Sequence, residues 1–213
     1  MTRNGDISFW HTDMGGLPPY RPALPGDRAV DVCIIGAGYT GLWTAWYLKK
    51  AAPDLSIAIV ERDFAGFGAS GRNGGWLTGA FYWNRDRYAK SGSREGVISL
   101  ERALRGTVDE IIRVTESEGI DADIHRTDEL IAACTPAQMA RLRDDYATAM
   151  DWEVPQERMQ LIGASDMTDR IRVQNAVGAL VLHGVARVQP AKLVRGLAQI
   201  VERRAFPFMN RQQ

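Results

Sequence analysis

The chain has 213 residues, 45% hydrophobic and 24% charged, with 26 basic side chains against 26 acidic ones. That balance exerts no pull toward nucleic acid or an anionic membrane, and no apolar run reaches the eighteen residues of a spanning helix. Two cysteines do not make a disulfide framework; Cys33 and Cys134 both fall in apolar runs and read as buried small hydrophobes. With no secretory leader in view, the expectation is a cytoplasmic protein of one large or two small domains, without metal ligands.

Residues 1–29 are rich in proline, glycine and aromatics and predict an extended arm, with Trp10 as its anchor. The stretch from Val30 to Glu61 then organises the chain. Val30, Val32, Cys33, Ile34 and Ile35 form an apolar run closed by glycine, the pattern of a strand buried on both faces of a parallel sheet. Tyr39 to Ala52 is compatible with a helix, with Leu42, Trp43, Trp46, Tyr47 and Leu48 at three- and four-residue spacings. Pro53 and Asp54 stop it, and Leu55 to Val60 is a second strand. Strand, helix, strand within about 30 residues is a right-handed βαβ unit.

The first turn of that unit carries a dinucleotide fingerprint, Gly36, Gly38 and Gly41 as G-x-G-x-x-G. Gly36 turns the chain sharply out of the strand, Gly38 leaves no side chain between backbone and pyrophosphate, and Gly41 lets the helix pack closely on the sheet. The amides and partial positive charge at the helix start suit phosphate. Glu61, twenty residues past Gly41, stands where a carboxylate accepts from both ribose hydroxyls and repels a 2′-phosphate. A glycine-rich turn in an ordinary α/β protein is the alternative, but it leaves Glu61 without a reason.

The run Gly66 to Trp76, GFGASGRNGGW, places five glycines in ten residues ahead of Trp76. Together with IIGAGYTGLWTAWYL, the IVER that ends the second strand and the later ARVQPAKLVRGLA, it resembles the FAD-dependent oxidoreductases of the D-amino-acid-oxidase-like (DAO) family, above all their γ-glutamylputrescine oxidoreductase-like branch. The resemblance implies an α/β, Rossmann-like FAD-binding βαβ fold with an inserted α+β substrate domain. It implies FAD as cofactor and a small amine or amino acid as substrate, oxidised at its C–N bond to an imine. By the same resemblance Gly36, Ala37, Gly38 and Gly41 hold the pyrophosphate, Glu61 the ribose, and Arg62 lies beside the ribose or outside the adenine. Ala69, Ser70, Gly71, Arg72, Asn73 and Gly74 run past the second phosphate, ribityl chain and flavin ring, with Arg72 and Asn73 as polar contacts at the reactive edge. No residue stands out as a catalytic acid or base, and the oligomeric state is not legible.

Beyond Trp76 helix and strand alternate irregularly without a second fingerprint. Ser93 to Gly119 reads as a helix with a solvated charged face. Ile120–Arg126 and Glu129–Cys134 read as a hairpin turning at Thr127 and Asp128. Thr135 and Pro136 start a helix through about Met150, Met159–Ile162 is a strand, Ser165 caps a short helix to Arg172, and Val177–His183 is a strand. His183 reads as a structural histidine with no perturbing neighbour. Pro190–Arg204 is an amphipathic helix with Leu193, Val194, Leu197, Ile200 and Val201 on one side, preceded by Gln189 where the family often carries histidine or aspartate.

These readings divide the chain into an arm (1–29), an FAD-binding core (30–79), a substrate region (80–185), a return helix (186–204) and a divergent tail (205–213). Pro207 argues against a further central strand after Arg204, and the family resemblance stops there. The expectation is an N-terminal half of a longer oxidoreductase with an incomplete core. A non-catalytic fragment that keeps only the nucleotide motif is the alternative reading. An NAD-dependent dehydrogenase also accounts for the βαβ unit but leaves Gly66–Gly75 idle.

Overall fold

The computed structural model describes residues 8–82 and 84–204, together with the backbone of 209–210. In chain order the elements are α1 (Phe9–Asp13), β1 (Val32–Ile35), α2 (Tyr39–Ala51), β2 (Ile57–Glu61), β3 (Trp76–Leu77), α3 (Arg85–Ser91) and α4 (Arg94–Glu118). They continue with β4 (His125–Ala133), α5 (Pro136–Asp151), β5 (Met159–Gly163), α6 (Ala164–Thr168), β6 (Gly178–Arg187), α7 (Pro190–Arg204) and β7 (Met209–Asn210). Among the described residues two compact units result: 8–76, 112–124, 188–204 and 209–210 form the first, and 77–82, 84–111 and 125–187 the second. The segment 112–124, which the sequence reading put in the substrate region, therefore belongs to the first unit.

In the first unit β1 and β2 pair in parallel from Val32↔Ile57 to Ile35↔Val60, joined by α2 as their crossover. β7 continues the sheet in parallel, Val60↔Met209 and Glu61↔Asn210, giving the order β1-β2-β7. This corrects the expectation that the tail supplies no strand beside β2; Pro207 itself lies outside the described residues. The order is that of one half of a doubly wound nucleotide fold. Leu42, Ala45 and Trp46 of α2 and Leu197, Ile200 and Val201 of α7 are buried in one cluster with Ile57 and Ile59 of β2. At about 1.5–3 kcal/mol per fully buried aliphatic side chain, this cluster is what fixes both helices against the sheet.

β1 departs from the sequence reading. Its burial alternates, leaving Cys33 exposed and Ile35 89% exposed, so the strand presents one open face rather than two buried ones. Cys134 is only half-buried, so neither cysteine is the enclosed hydrophobe expected from composition.

In the second unit β6 is the central strand, paired antiparallel with β4 along its length and with β5 over its first half. The expected hairpin at Thr127–Asp128 is absent. His125 to Ala133 is a single strand interrupted by an irregularity between Thr127 and Glu129, because both halves find the same long partner in β6. Thr135 caps α5 through its side chain, accepting from the Gln138 amide at 3.2 Å, with Pro136 at the first position. The helix expected to start at Ser165 and reach Arg172 is instead capped by Gly163 and ends at Thr168.

Candidate functional site

The glycine loop lies between β1 and α2, and its geometry follows from the three glycines. Gly36 has φ +98, a backbone state that side chains resist. A Cβ on Gly41 would collide with the Gly36 carbonyl oxygen and stand 3.0 Å from Ile34 Cγ2. The start of α2 is thus pressed directly onto the strand it follows. Gly38 occupies the N-cap position in extended geometry, its carbonyl taking the Leu42 amide as the first helical bond.

Three neighbouring segments converge on this turn. The Gly36 amide donates to the Val60 carbonyl of β2 at 2.8 Å, and the Ala37 carbonyl accepts from Gly66 at 3.0 Å. Glu61, half-buried at the end of β2, receives the Ala37 amide on one carboxylate oxygen at 2.8 Å and the Asp63 amide on the other at 3.0 Å. Ser70, in a 3-10 turn at Ala69–Gly71, accepts the Tyr39 amide on its hydroxyl oxygen at 3.0 Å. Among the described residues the amides of Gly38, Thr40 and Gly41 have no acceptor, so the helix start keeps a cluster of donors for something else.

The residues singled out from sequence are therefore brought together in part. Gly36, Ala37, Gly38, Gly41, Glu61 and Ser70 meet around the first turn of α2, and Ala69 and Gly71 follow in the same turn as Ser70. Arg62 is turned outward, bonded to Asp63 Oδ2 at 3.0 Å and largely exposed. Arg72 is exposed, donates to the Gly68 carbonyl at 3.2 Å and stacks over Phe67 at 5.1 Å. Gly74 is exposed. Asn73 differs most from expectation. Its side-chain amide donates to the Ala69 and Ser70 carbonyls and its carbonyl accepts from the Gly75 amide, so the side chain is spent bracing the loop.

Sequence reasoning missed what holds this loop from behind. Residues 9–13 are helical rather than extended, and the anchoring part assigned to Trp10 is met by its indole N–H, which donates to the Asn73 carbonyl at 2.7 Å. Ser8 donates to the Gly71 carbonyl at 3.3 Å. His11 is buried against Phe64, and burial, then the charges of Arg195 and Arg72, push its pKa down. Gln189 is 4% exposed and bonds in three directions, to the Trp10 carbonyl, to Asp13 Oδ2 and from the Lys192 amide that starts α7. A lone glutamine between Val188 and Pro190, in an otherwise apolar stretch, was the available signal, since such a side chain once buried needs partners for its donors and its acceptor.

In the second unit His183 is not without a neighbour. Its Nδ1 meets Asp128 Oδ1 at 2.8 Å, and the other oxygen of Asp128 takes Arg170 at 2.8 Å. Burial works against the Asp128 charge, but the Arg170 and His183 bonds outweigh it and hold the carboxyl below its usual range. Among the described residues no group of acids, histidines or cysteines is placed to hold a metal, and no helix is long and apolar enough to cross a membrane.

Comparison with known proteins follows the same lines. The family model described as FAD dependent oxidoreductase, DAO, matches residues 31–213. Gamma-glutamylputrescine oxidoreductase of Escherichia coli strain K12 is 30% identical over 172 residues, covering 80% of this chain and 39% of that protein. The chain thus spans about two-fifths of the length of this curated relative. Among solved structures, the L-amino acid deaminase from Proteus myxofaciens in complex with anthranilate superposes with a TM-score of 0.69 at 18% identity, over 91% of this chain and 40% of its own. The L-alpha-glycerophosphate oxidase from Mycoplasma pneumoniae with FAD bound gives 0.66 at 15% identity, over 86% and 45%.

Proposed function

This chain belongs to the DAO family of FAD-dependent oxidoreductases, and from that premise we propose that it holds FAD at the glycine loop and serves the oxidation of a small amine or amino acid at its C–N bond. The observation that carries the reading is the convergence of Gly36–Gly41, Glu61 and the Ser70 turn on one helix start whose Gly38, Thr40 and Gly41 amides lack acceptors. The fit to FAD is specific in three respects. The unpartnered amides match phosphate oxygens, Gly38 carries no side chain to obstruct them, and each Glu61 oxygen, having accepted one backbone amide, keeps a lone pair for a ribose hydroxyl.

When bound, FAD supplies the two-electron acceptor for hydride removed from the carbon that bears nitrogen, and the imine so formed hydrolyses in water. The chain's own contribution is placement. Gly36, Ala37, Gly38 and Gly41 offer backbone to the pyrophosphate and Glu61 orients the ribose, with Arg62 at the outer, adenine side. Ala69, Ser70, Gly71 and Gly74 offer a side-chain-poor path for the rest of the cofactor. Arg72 is the exposed cation of that path, whereas Asn73 shapes the turn from within. The substrate class is supported by gamma-glutamylputrescine oxidoreductase, the 30% identical curated relative.

The test is spectroscopic. Purified protein is expected to show flavin absorbance that bleaches anaerobically on adding primary amines or amino acids, and not on adding the matching alcohols. Absence of bound flavin, or reduction that requires a nicotinamide nucleotide, would overturn the reading.

A further inference from the structure

One buried titratable group of the first unit has no part in the proposed chemistry: His11 of α1, 1% exposed. Its ring stands edge-on to Phe64, 5.4 Å between centroids. A Cβ on Gly71 would stand 3.3 Å from His11 Nε2 and would collide with the Gly66 carbonyl oxygen. The imidazole therefore lies directly against the backbone of the turn that carries Ala69, Ser70 and Gly71. From α7, Arg195 Nη2 reaches His11 Nδ1 at 3.3 Å and donates to the Gly16 carbonyl, just past α1, at 2.8 Å.

A guanidinium has donors only, so Nδ1 is the acceptor and the ring is neutral, with its proton on Nε2. That proton has no acceptor among the described residues, and Arg195 Nε is likewise buried without a partner. The surroundings offer a positive ring nothing. Arg195 of α7 and Arg72 of the turn are the charges it senses, and both are cations. Asp13 on its own helix is engaged by Gln189 at 3.2 Å, Asp63 beside Phe64 is engaged by Arg62, and Arg21 and Glu202 pair with each other. Protonation would turn Nδ1 from acceptor to donor and set two cations against each other in a buried place. Ser8 and Trp10, on either side of the same turn of chain, hold the Gly71 and Asn73 carbonyls, and Gln189 ties the Trp10 carbonyl to the start of α7. Whatever loosens α1 thus loosens the segment from Ala69 to Gly75.

We propose that neutral His11 is a positioning residue for the Ala69–Gly75 segment, locking α1 onto it, and that protonation of His11 releases the lock. The direction in pH follows from linkage. Burial first, then Arg195 and Arg72, push the docked ring's pKa down, whereas the undocked ring titrates near the ordinary histidine value. Docking is at full strength above about pH 6.5 and weakens as pH falls through the range below it. The proposal stands without the flavin. Where flavin is bound, the released segment is the one past which the cofactor reading runs it, so flavin retention weakens over the same range.

The experiment is hydrogen exchange by mass spectrometry on the purified full chain between about pH 7.5 and 5.5, corrected for the intrinsic pH dependence of exchange. Protection of peptides spanning residues 8–16 and 66–75 is expected to fall about two- to tenfold, the worth of one hydrogen bond, while peptides of β1 and β2 hold steady. His11→Asn keeps an acceptor near the Nδ1 position and cannot take a proton, so its protection in both segments is expected to be flat across the range. Should that variant leave α1 undocked at every pH, proton magnetic resonance of the wild type decides: the imidazole signal missing from the variant belongs to His11 and is expected to titrate below the ordinary histidine value. Flat protection in the wild type, an equal fall in a docked His11→Asn, or a His11 signal titrating at or above the ordinary value overturns the proposal. Flavin absorbance is read in the same samples. Bound flavin with flat protection sinks this proposal alone, and the protection step without any flavin sinks the cofactor reading alone.

Discussion

The two units prepare for charge in opposite ways. At the glycine loop the ligand-facing groups are backbone amides, fixed because Gly36 takes a conformation side chains resist and Gly41 lies against the Gly36 carbonyl. In the second unit the charged groups are guanidinium groups on long stems, Arg85 and Arg105, held by the buried carboxylate of Glu101. The first arrangement loses little if a surface charge changes but fails if a single Cβ is added. The second tolerates small backbone adjustments but depends on a buried charge balance. Substitutions that change only volume or only charge therefore discriminate between them.

The largest effect is expected at Glu101. Glu101→Gln keeps the shape but removes the anion between Arg85 and Arg105, leaving two partly buried cations facing each other. Breaking a buried pair in this way costs about 3–5 kcal/mol. Urea unfolding should show that loss, and a midpoint unchanged from wild type would mean the arginines find other partners.

Next comes Gly41→Val, which changes volume alone. The added side chain meets the Gly36 carbonyl and Ile34, so α2 must lift from β1, an overpacking expected to destabilise by about 3 kcal/mol. Gly38→Val sharpens the point, because a Cβ there has only Ser70 Oγ near it, at 3.1 Å. Its melting temperature should stay within a few degrees of wild type while flavin incorporation is lost. If both variants melt alike, the two glycines do not have the separate roles assigned to them.

Glu61→Gln is expected to be milder. The glutamine keeps one acceptor for the Ala37 or Asp63 amide but turns the other position into a donor and removes the charge. Losing a charge-assisted bond is worth about 1–3 kcal/mol, read as roughly five- to 150-fold weaker FAD binding. Unchanged flavin affinity would take Glu61 out of the site.

How much of this was readable beforehand follows from the same contrast. Gly36, Gly38, Gly41 and Glu61 lie on one βαβ unit, where spacing along the chain nearly dictates spacing in space, and the parallel β1–β2 pair, the N-cap of α5 and the buried face of α7 were legible for that reason. Asn73 shows the limit: its residue type suggested a ligand contact, but the tight turn it sits in offered nearer partners at Ala69, Ser70 and Gly75. The exposure of Cys33 and Ile35 was also hidden, since an apolar run does not say whether both faces of a strand are covered. The charge cluster of the second unit was beyond reach of pattern altogether. Arg85 comes from α3 and Glu101 and Arg105 from α4, and their spacing along the chain does not say that one buried carboxylate serves both arginines. The hairpin misreading of 120–134 has the same root, because local alternation cannot reveal that a later strand offers a longer partner.

The smallest effect tests the charged groups of the second unit where they reach solvent. Asp128 bonds Arg170 and His183 and is about one-third exposed, so its pairing is worth only about 0.2–1 kcal/mol. Its carboxyl is held below the usual range despite burial, which means the folded state favours the ionised form. The sign is therefore fixed. The contribution is fully present above the ordinary aspartate pKa and is lost as pH falls through the depressed folded value. Asp128→Asn should accordingly melt slightly below wild type at neutral pH, with the two curves converging as acid removes the charge from the wild type. A gap that stays constant down through the carboxylate range would show that Asp128 acts by shape and hydrogen bonding, as the glycine loop does, and not by charge.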